Sequence, residues 1–259
     1  MNEIIEKEIE VKKLVKQEAP VVEIKGLYKA FDHVGVLKGV NLTVRKGENV
    51  VVLGKSGSGK SVLIKCVVGL ISPDEGEIFV LGNDISELKY RQLNELRVRI
   101  GFLFQSAALY DSMTVGENLY FPLKQHEKDL SSEEANNAIH EILESVGLES
   151  AIDKMPSELS GGMSKRIGLA RTMILKPDIM LYDEPTTGLD TVTAREISEL
   201  IVFMQKKNKI SSIIITHDLA CAKITADRIV MLKDGKIAAE GTYEELAESE
   251  DEWVKSFFQ

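Results

Sequence analysis

Two cysteines and one tryptophan in 259 residues leave this chain without the material for several kinds of protein. A disulfide-stapled secreted domain needs closely spaced cysteine pairs. Cys66 and Cys221 instead sit in apolar or helical patterns and read as reduced structural thiols, not a bridge or a metal pair. Long hydrophobic runs are missing too. VVLG, IMLY and SSIIIT fall far short of the roughly 18 to 20 apolar residues that span a bilayer, and the N-terminal MNEIIEKEIEVKKLVKQEAP is too charged for a secretion signal. Any membrane role is therefore expected to act through a partner, with the chain on the cytoplasmic side. Net positive charge is also lacking: at -9 the chain is a poor match for nucleic acid as its main partner. What is present is 44% apolar content, enough for a sizeable core in one large or two small domains.

Residues 1–19 alternate Glu and Lys around a thin stripe of Ile5, Ile9, Leu14 and Val15, and read as a solvated extension. A domain over 20–248 follows, with a short tail at 249–259. VVEIKGLYKAF and VLKGVNLTVRKGENVVVLG are rich in β-branched residues and punctuated by glycine, as strands are. KSVLIKCVVGL from Lys60 reads as a buried helix closed by Gly69. A turn at SPDEG and a strand EIFVLG then lead to a further strand, RVRIGFLFQ. From about 112 to 175 strand patterns give way to helical ones such as SSEEANNAIHEILESVGL, where Ser131 or Ser132 caps and Gly147 stops the helix. Strands return in DIMLYDEP and SSIIITHD around the helix TAREISELIVFMQKKN. An Asp234-Gly235 hairpin and a short helix from Thr242 close the domain. Strand, loop and helix thus alternate in βαβ fashion around a helical insertion.

Three segments carry chemistry. GKSGSGKS at 54–61 fills every fixed position of G-x-x-x-x-G-K-[ST] between an apolar strand and a helix. Its glycines, Gly54, Gly57 and Gly59, let the backbone amides of the loop, including those of Lys55, Ser56 and Ser58, curl around phosphate. Lys60 supplies a point charge near the β and γ groups, and Ser61 a hydroxyl for Mg²⁺. In IMLYDE, Asp183 ends an apolar run where its carboxylate can hold Mg²⁺ through water beside that loop. In LSGGMSKRIGLARTMI, Ser160, Gly161 and Gly162 place a hydroxyl, two open amides and a helix dipole on one point, an anion site with no lysine anchor.

In this order the three segments resemble the ATP-binding cassette (ABC) ATPases, and the likeness extends over about 21–246. The resemblance implies a P-loop NTPase core of α/β class, with a mixed, largely parallel sheet and flanking helices, plus an antiparallel β subdomain and an inserted helical subdomain. It implies ATP and Mg²⁺ as cofactors. Glu184 matches the general base that activates water, His217 the switch histidine at the γ-phosphate, and Gln105 the glutamine that touches Mg²⁺ and water. Asp190 matches the loop that crosses to the neighbouring subunit. Phe31 matches the aromatic that stacks on adenine, a contact of roughly 1 to 3 kcal/mol, with Tyr28 the competing ring. In the family the signature faces the phosphate loop of a second copy, so a homodimer with two sandwiched ATP molecules is expected, gripped by integral-membrane permease subunits.

Met163 stands where the family's signature has Gln, and QSAALYDSMTVGENLYFPL and MPSELSGGMSKR are similar to the ATPase subunits of mammalian-cell-entry (MCE) type lipid transporters. That narrower likeness implies phospholipid movement between bacterial membranes and an MCE-domain protein in the complex. Two alternatives stay open. One is an ABC ATPase serving another substrate or a lipoprotein or division complex; the other is a soluble single-cassette ATPase such as one of iron-sulfur cluster assembly.

Overall fold

The computed structural model describes residues 19–127 and 129–258, so all but the last residue of the extension expected at 1–19 lies outside the described residues. Strands β1 (Val22–Phe31), β2 (Val34–Val44), β4 (Glu75–Val80) and β5 (Asn83–Asp84) form an antiparallel sheet in the order β2-β1-β4-β5. The second sheet has the order β10-β9-β3-β8-β7-β6, built from β3 (Asn49–Leu53), β6 (Ile100–Leu103), β7 (Ile179–Asp183), β8 (Ser211–Thr216), β9 (Arg228–Lys233) and β10 (Lys236–Gly241). Neighbours in it run parallel except at the edge, where β10 is antiparallel to β9. Every residue of β3, β7 and β8 is buried, which is why NVVVL, IMLYD and SSIIIT read as apolar runs instead of alternating patterns. Each fully buried Val, Leu or Ile there contributes roughly 1.5 to 3 kcal/mol.

Helices cover both faces. α1 (Lys60–Val67) joins the core that lies between the two sheets, where Leu63, Ile64 and Val67 meet Val50, Val52 and Ile78. α6 (Thr191–Asn208) and α7 (Leu219–Thr225) close the opposite face through Ile197, Ile201 and Ala222 against Val51, Ile214 and Met231. α3 (Val115–His126), α4 (Ser132–Ser145) and α5 (Gly161–Met173) pack through Leu119, Ile139, Leu143 and Ile167 into a third cluster. Ser131, not Ser132, is the N-cap of α4: its hydroxyl accepts from Glu134 N at 3.2 Å. The Asp234-Gly235 turn has both residues at positive φ, 49° and 81°, the pairing that a tight hairpin demands.

Two elements depart from the sequence expectations. α2 (Tyr90–Val98) occupies the stretch before β6, and Arg97 and Val98, read as strand, belong to it. Leu96 is its one fully buried residue, with Leu93 and Val98 half-buried, a short apolar stripe among charged and polar residues. A tertiary clasp holds it: Arg97 donates to Val68 O at 3.1 Å and Gly69 O at 2.7 Å. Past residue 248, α8 (Tyr243–Ala247) is followed by α9 (Glu252–Phe258). Val254 of α9 is 2% exposed and clusters with Leu246.

Candidate nucleotide site

The register of the parallel sheet assembles the site. Leu53 pairs with Thr216, and Asp183 pairs with Ile215, so β3, β8 and β7 end at one edge of the sheet. The residues that follow these ends are Gly54 of the phosphate loop, His217 and Glu184. Gln105 follows β6 at the same edge. Ligands of open α/β sheets bind outside such carboxyl ends.

Two backbone features explain the loop's glycines. A Cβ on Gly54 would lie 2.6 Å from Leu232 O, and Gly59 sits at φ 104°, closed to ordinary side chains. The loop delivers Lys60, 5% exposed, to the centre of the site. Its ammonium donates to Gly54 O at 2.7 Å and Lys55 O at 3.2 Å, and lies 3.5 Å from Glu184 Oε1. Ser61 Oγ donates to Asp183 Oδ1 at 3.0 Å, and Asp183 is 8% exposed. A hydroxyl beside a buried carboxylate is a donor set for a hard cation such as Mg²⁺. Among the described residues no three His, Cys, Asp or Glu side chains cluster as ligands. Ser58 Oγ is buried without a hydrogen-bond partner, an orphan donor in a loop shaped for anions.

Glu184 sits at φ 50°, left-handed for a residue with a Cβ, and its amide is held by Ile215 O at 2.9 Å. Its Oε2 lies 2.8 Å from His217 Nδ1 and accepts from Thr187 Oγ1 at 3.2 Å and Thr216 Oγ1 at 3.5 Å. Glu184, His217, Gln105 and Thr187 line a cavity of about 390 Å³ with Lys55 and Ser56. The arrangement is a carboxylate with a fixed orientation, facing an open space beside a lysine.

The signature segment lines neither this cavity nor the adjoining cleft. Ser160 caps α5, accepting from Met163 N at 3.3 Å. Gly161 abuts Leu189, and a Cβ on Gly162 would fall 2.5 Å from Thr193 Cγ2. Asp190 caps α6, with Oδ1 accepting from Val192 N at 3.0 Å and Thr193 N at 3.1 Å. Thr193 Oγ1 donates to Oδ2 at 2.6 Å. That hydroxyl, with the amides, holds the Asp190 carboxyl below its usual range. Within one chain Ser160, Gly161 and Gly162 thus share no cavity wall with the phosphate loop among the described residues.

Phe31 pairs across the hairpin with Val34, which lines a cleft of about 600 Å³ beside the phosphate loop. The Phe31 ring itself is 44% exposed, under Lys29 Nζ at 5.3 Å, and is not part of the cleft wall. Tyr28, 45% exposed, lies over Gly39 in a separate groove.

Sequence reasoning passed over one residue at the centre. Lys165, 6% exposed, donates to Gln105 O at 2.5 Å and Glu184 O at 3.4 Å, joining α5 to both loops. Burial pushes its pKa down, while Asp183 and Glu184 pull it back up. A helical lysine carries no local sign of such contacts; only its position inside an otherwise apolar face, before Ile167 and Leu169, hints at burial.

Comparison with known proteins agrees with this geometry. The family described as ABC transporter matches residues 37–187. The intermembrane phospholipid transport system ATP-binding protein MlaF of Haemophilus influenzae is 39% identical over 244 residues, 92% of this chain and 90% of that protein. The probable ribonucleotide transport ATP-binding protein mkl of Mycobacterium leprae is also 39% identical, over 91% of this chain and 68% of its own. A solved dimeric ATP-binding cassette, in a post-hydrolysis state with ADP and Pi, is 32% identical with a TM-score of 0.78, covering 86% of this chain and 98% of that one. With its phosphate loop and acidic strand end at one edge of the sheet and its signature segment at the start of α5, this chain belongs to the ABC transporter family and is one of its ATP-binding, ATP-hydrolysing subunits.

Proposed function

We propose that the chain powers a membrane transporter of phospholipid, working as a two-copy ATP sandwich bound to integral-membrane permease subunits at the cytoplasmic face of the inner membrane. Among the described residues no helix is long and apolar enough to cross a membrane, which accords with attachment through a permease. One observation carries the substrate: similarity to MlaF runs nearly end to end in both chains, whereas the equally identical mkl extends well beyond the shared part. By the same likeness an MCE-domain protein joins the complex.

The chemistry follows from the site. Lys60 and the loop amides hold the β and γ phosphates; Ser61, Asp183 and Gln105 are the residues that would hold Mg²⁺, which would supply positive charge against the phosphate oxygens. Glu184, oriented by His217, Thr187 and Thr216, takes the proton of the attacking water. Ser160, Gly161 and Gly162 of the second copy cover the γ-phosphate, with Asp190 on the crossing loop. That they share no cavity wall with the phosphate loop of their own chain supports this trans arrangement. Closure excludes water and strengthens each polar contact; hydrolysis removes the γ-phosphate link and lets the copies part, which a permease gripping both feels as work.

The equal identity to mkl favours a second reading, with ribonucleotide as cargo. Purification from detergent extracts separates the two. Recovery of a polytopic permease and an MCE-domain protein with bound phospholipid is the expected result. A complex that carries ribonucleotide and no lipid would establish the second reading, and a wholly soluble complex would overturn both.

A further inference from the structure

The aromatic ring that faces the phosphate-loop cleft comes from the far end of the chain. Trp253, in α9, lines the cleft of about 600 Å³ together with Lys55, Ser56, Val34 and Val36. Neither Phe31 nor Tyr28 lines it. The cleft offers an apolar wall in Val34, Val36 and the indole. It also has a cationic rim in Lys38, Lys55 and Lys233, with Asp234 the opposing charge. Apolar faces for a planar ring next to cations for phosphate are the two halves of a nucleotide site.

The indole is held in place. Phe257, one turn on, meets it edge to face at 4.9 Å, and Lys233 Nζ lies 4.8 Å from its centroid. The helix start is fixed by Asp251 Oδ1, which accepts from Trp253 N at 2.9 Å and Val254 N at 3.0 Å, and Val254 is anchored in the core. Phe257 in turn lines the 390 Å³ cavity that holds Gln105, Glu184 and His217. One short helix therefore places an aromatic on each side of Lys55 and Ser56. A ring immobilised in this way stacks on a base at little entropic cost.

We propose that Trp253 contacts the nucleoside of ATP, its indole forming a wall of the cleft that receives base and ribose beside the phosphate loop. The proposal rests on the ATP-binding reading of the site and adds to it a residue from outside the family's motifs.

The full chain tests it by comparing ATP with tripolyphosphate, which has the phosphates but no nucleoside. Calorimetry should show Trp253→Ala and Trp253→Leu weakening ATP about tenfold or more while leaving tripolyphosphate within twofold. Equal loss for both ligands, or an ATP affinity unchanged in both variants, overturns the proposal. Because Trp253 is the only tryptophan in the sequence, the unaltered chain decides if the variants do not fold. Its emission should respond to ATP and not to tripolyphosphate, and an equal or absent response to bound ATP counts against a nucleoside contact. Failure of the unaltered chain to bind ATP at all would instead bring down the underlying reading, an outcome calorimetry registers separately.

Discussion

Lys60 and Glu184 form an ion pair across the ends of the sheet, Nζ to Oε1 3.5 Å, with side chains only 6% and 13% exposed. The pair joins the phosphate loop to the carboxylate beyond Asp183. On the proposed reading, phosphate draws Lys60 into new contacts, while the contacts of Glu184 with His217, Thr187 and Thr216 do not involve the lysine. Lys60→Ala removes the only side-chain cation buried in the loop. Hydrogen bonds to charged groups contribute about 1.5 to 3 kcal/mol, so ATP affinity should fall roughly 10- to 100-fold by calorimetry. Unchanged affinity would show that Lys60 serves Glu184 and not the nucleotide.

Lys165 predicts a different kinetic signature. Its ammonium holds two backbone carbonyls, those of Gln105 and Glu184, without facing the cleft. Lys165→Met should therefore lower kcat roughly 10- to 100-fold, as small misplacements of catalytic groups do, with KM for ATP nearly unaltered. A variant with normal kcat, or with KM raised in step, would show that the contact does not position Glu184.

Gly162 and Thr193 are coupled by contact. Because a Cβ at 162 would fall 2.5 Å from Thr193 Cγ2, and Thr193 is tied to Asp190, Gly162→Ala should cost about 1 to 3 kcal/mol in overpacking at the start of α6. Thr193→Ser removes that methyl and keeps the hydroxyl. Denaturant unfolding of the two single variants and the double should give a smaller loss in the double than in Gly162→Ala; simple additivity would refute the coupling.

The thiols give a simple check of the core. Cys66 and Cys221 are buried and unpaired, and burial pushes both up to about 11. Thiolate is the reactive form, so at pH 8 only about 0.1% of each is available, and access is blocked as well. Alkylation of the native chain at pH 8 should be negligible and become rapid in denaturant. Prompt labelling without denaturant would mean that α1 or α7 is not packed as described.

How much of this was legible depended on whether the signal was local. The phosphate loop, the Asp183 strand end and the Asp234-Gly235 hairpin each declare themselves within ten residues, because glycine geometry and buried parallel strands leave few alternatives. α2 did not, since its apolar stripe is short and Arg97 ties it to Val68 and Gly69, contacts that lie far off in sequence. Nor did Asn118, fully buried, whose amide accepts from Tyr110 N at 2.8 Å and donates to the carbonyls of Tyr110, Met113 and Thr114, shaping the loop before α3. Lys165 meets carbonyls, and Trp253 lines a cleft, built by residues far away in sequence, and no spacing rule reports such placements. The second copy was legible only through the family resemblance, in which the signature faces another chain's phosphate loop; the segment LSGGM by itself says no more than that an anion site lacks a lysine.

The most direct test of the account is the steady-state ATP hydrolysis rate of Glu184→Gln beside the unaltered chain. The substitution keeps the size of the side chain and its hydrogen bonds with Thr187 and Thr216, but removes the basic oxygen. General-base catalysis contributes about 10²- to 10⁴-fold, so turnover should fall at least 100-fold while ATP still binds and a nucleotide-bound dimer accumulates. Hydrolysis near the unaltered rate would contradict the assignment of Glu184 and with it the proposed mechanism.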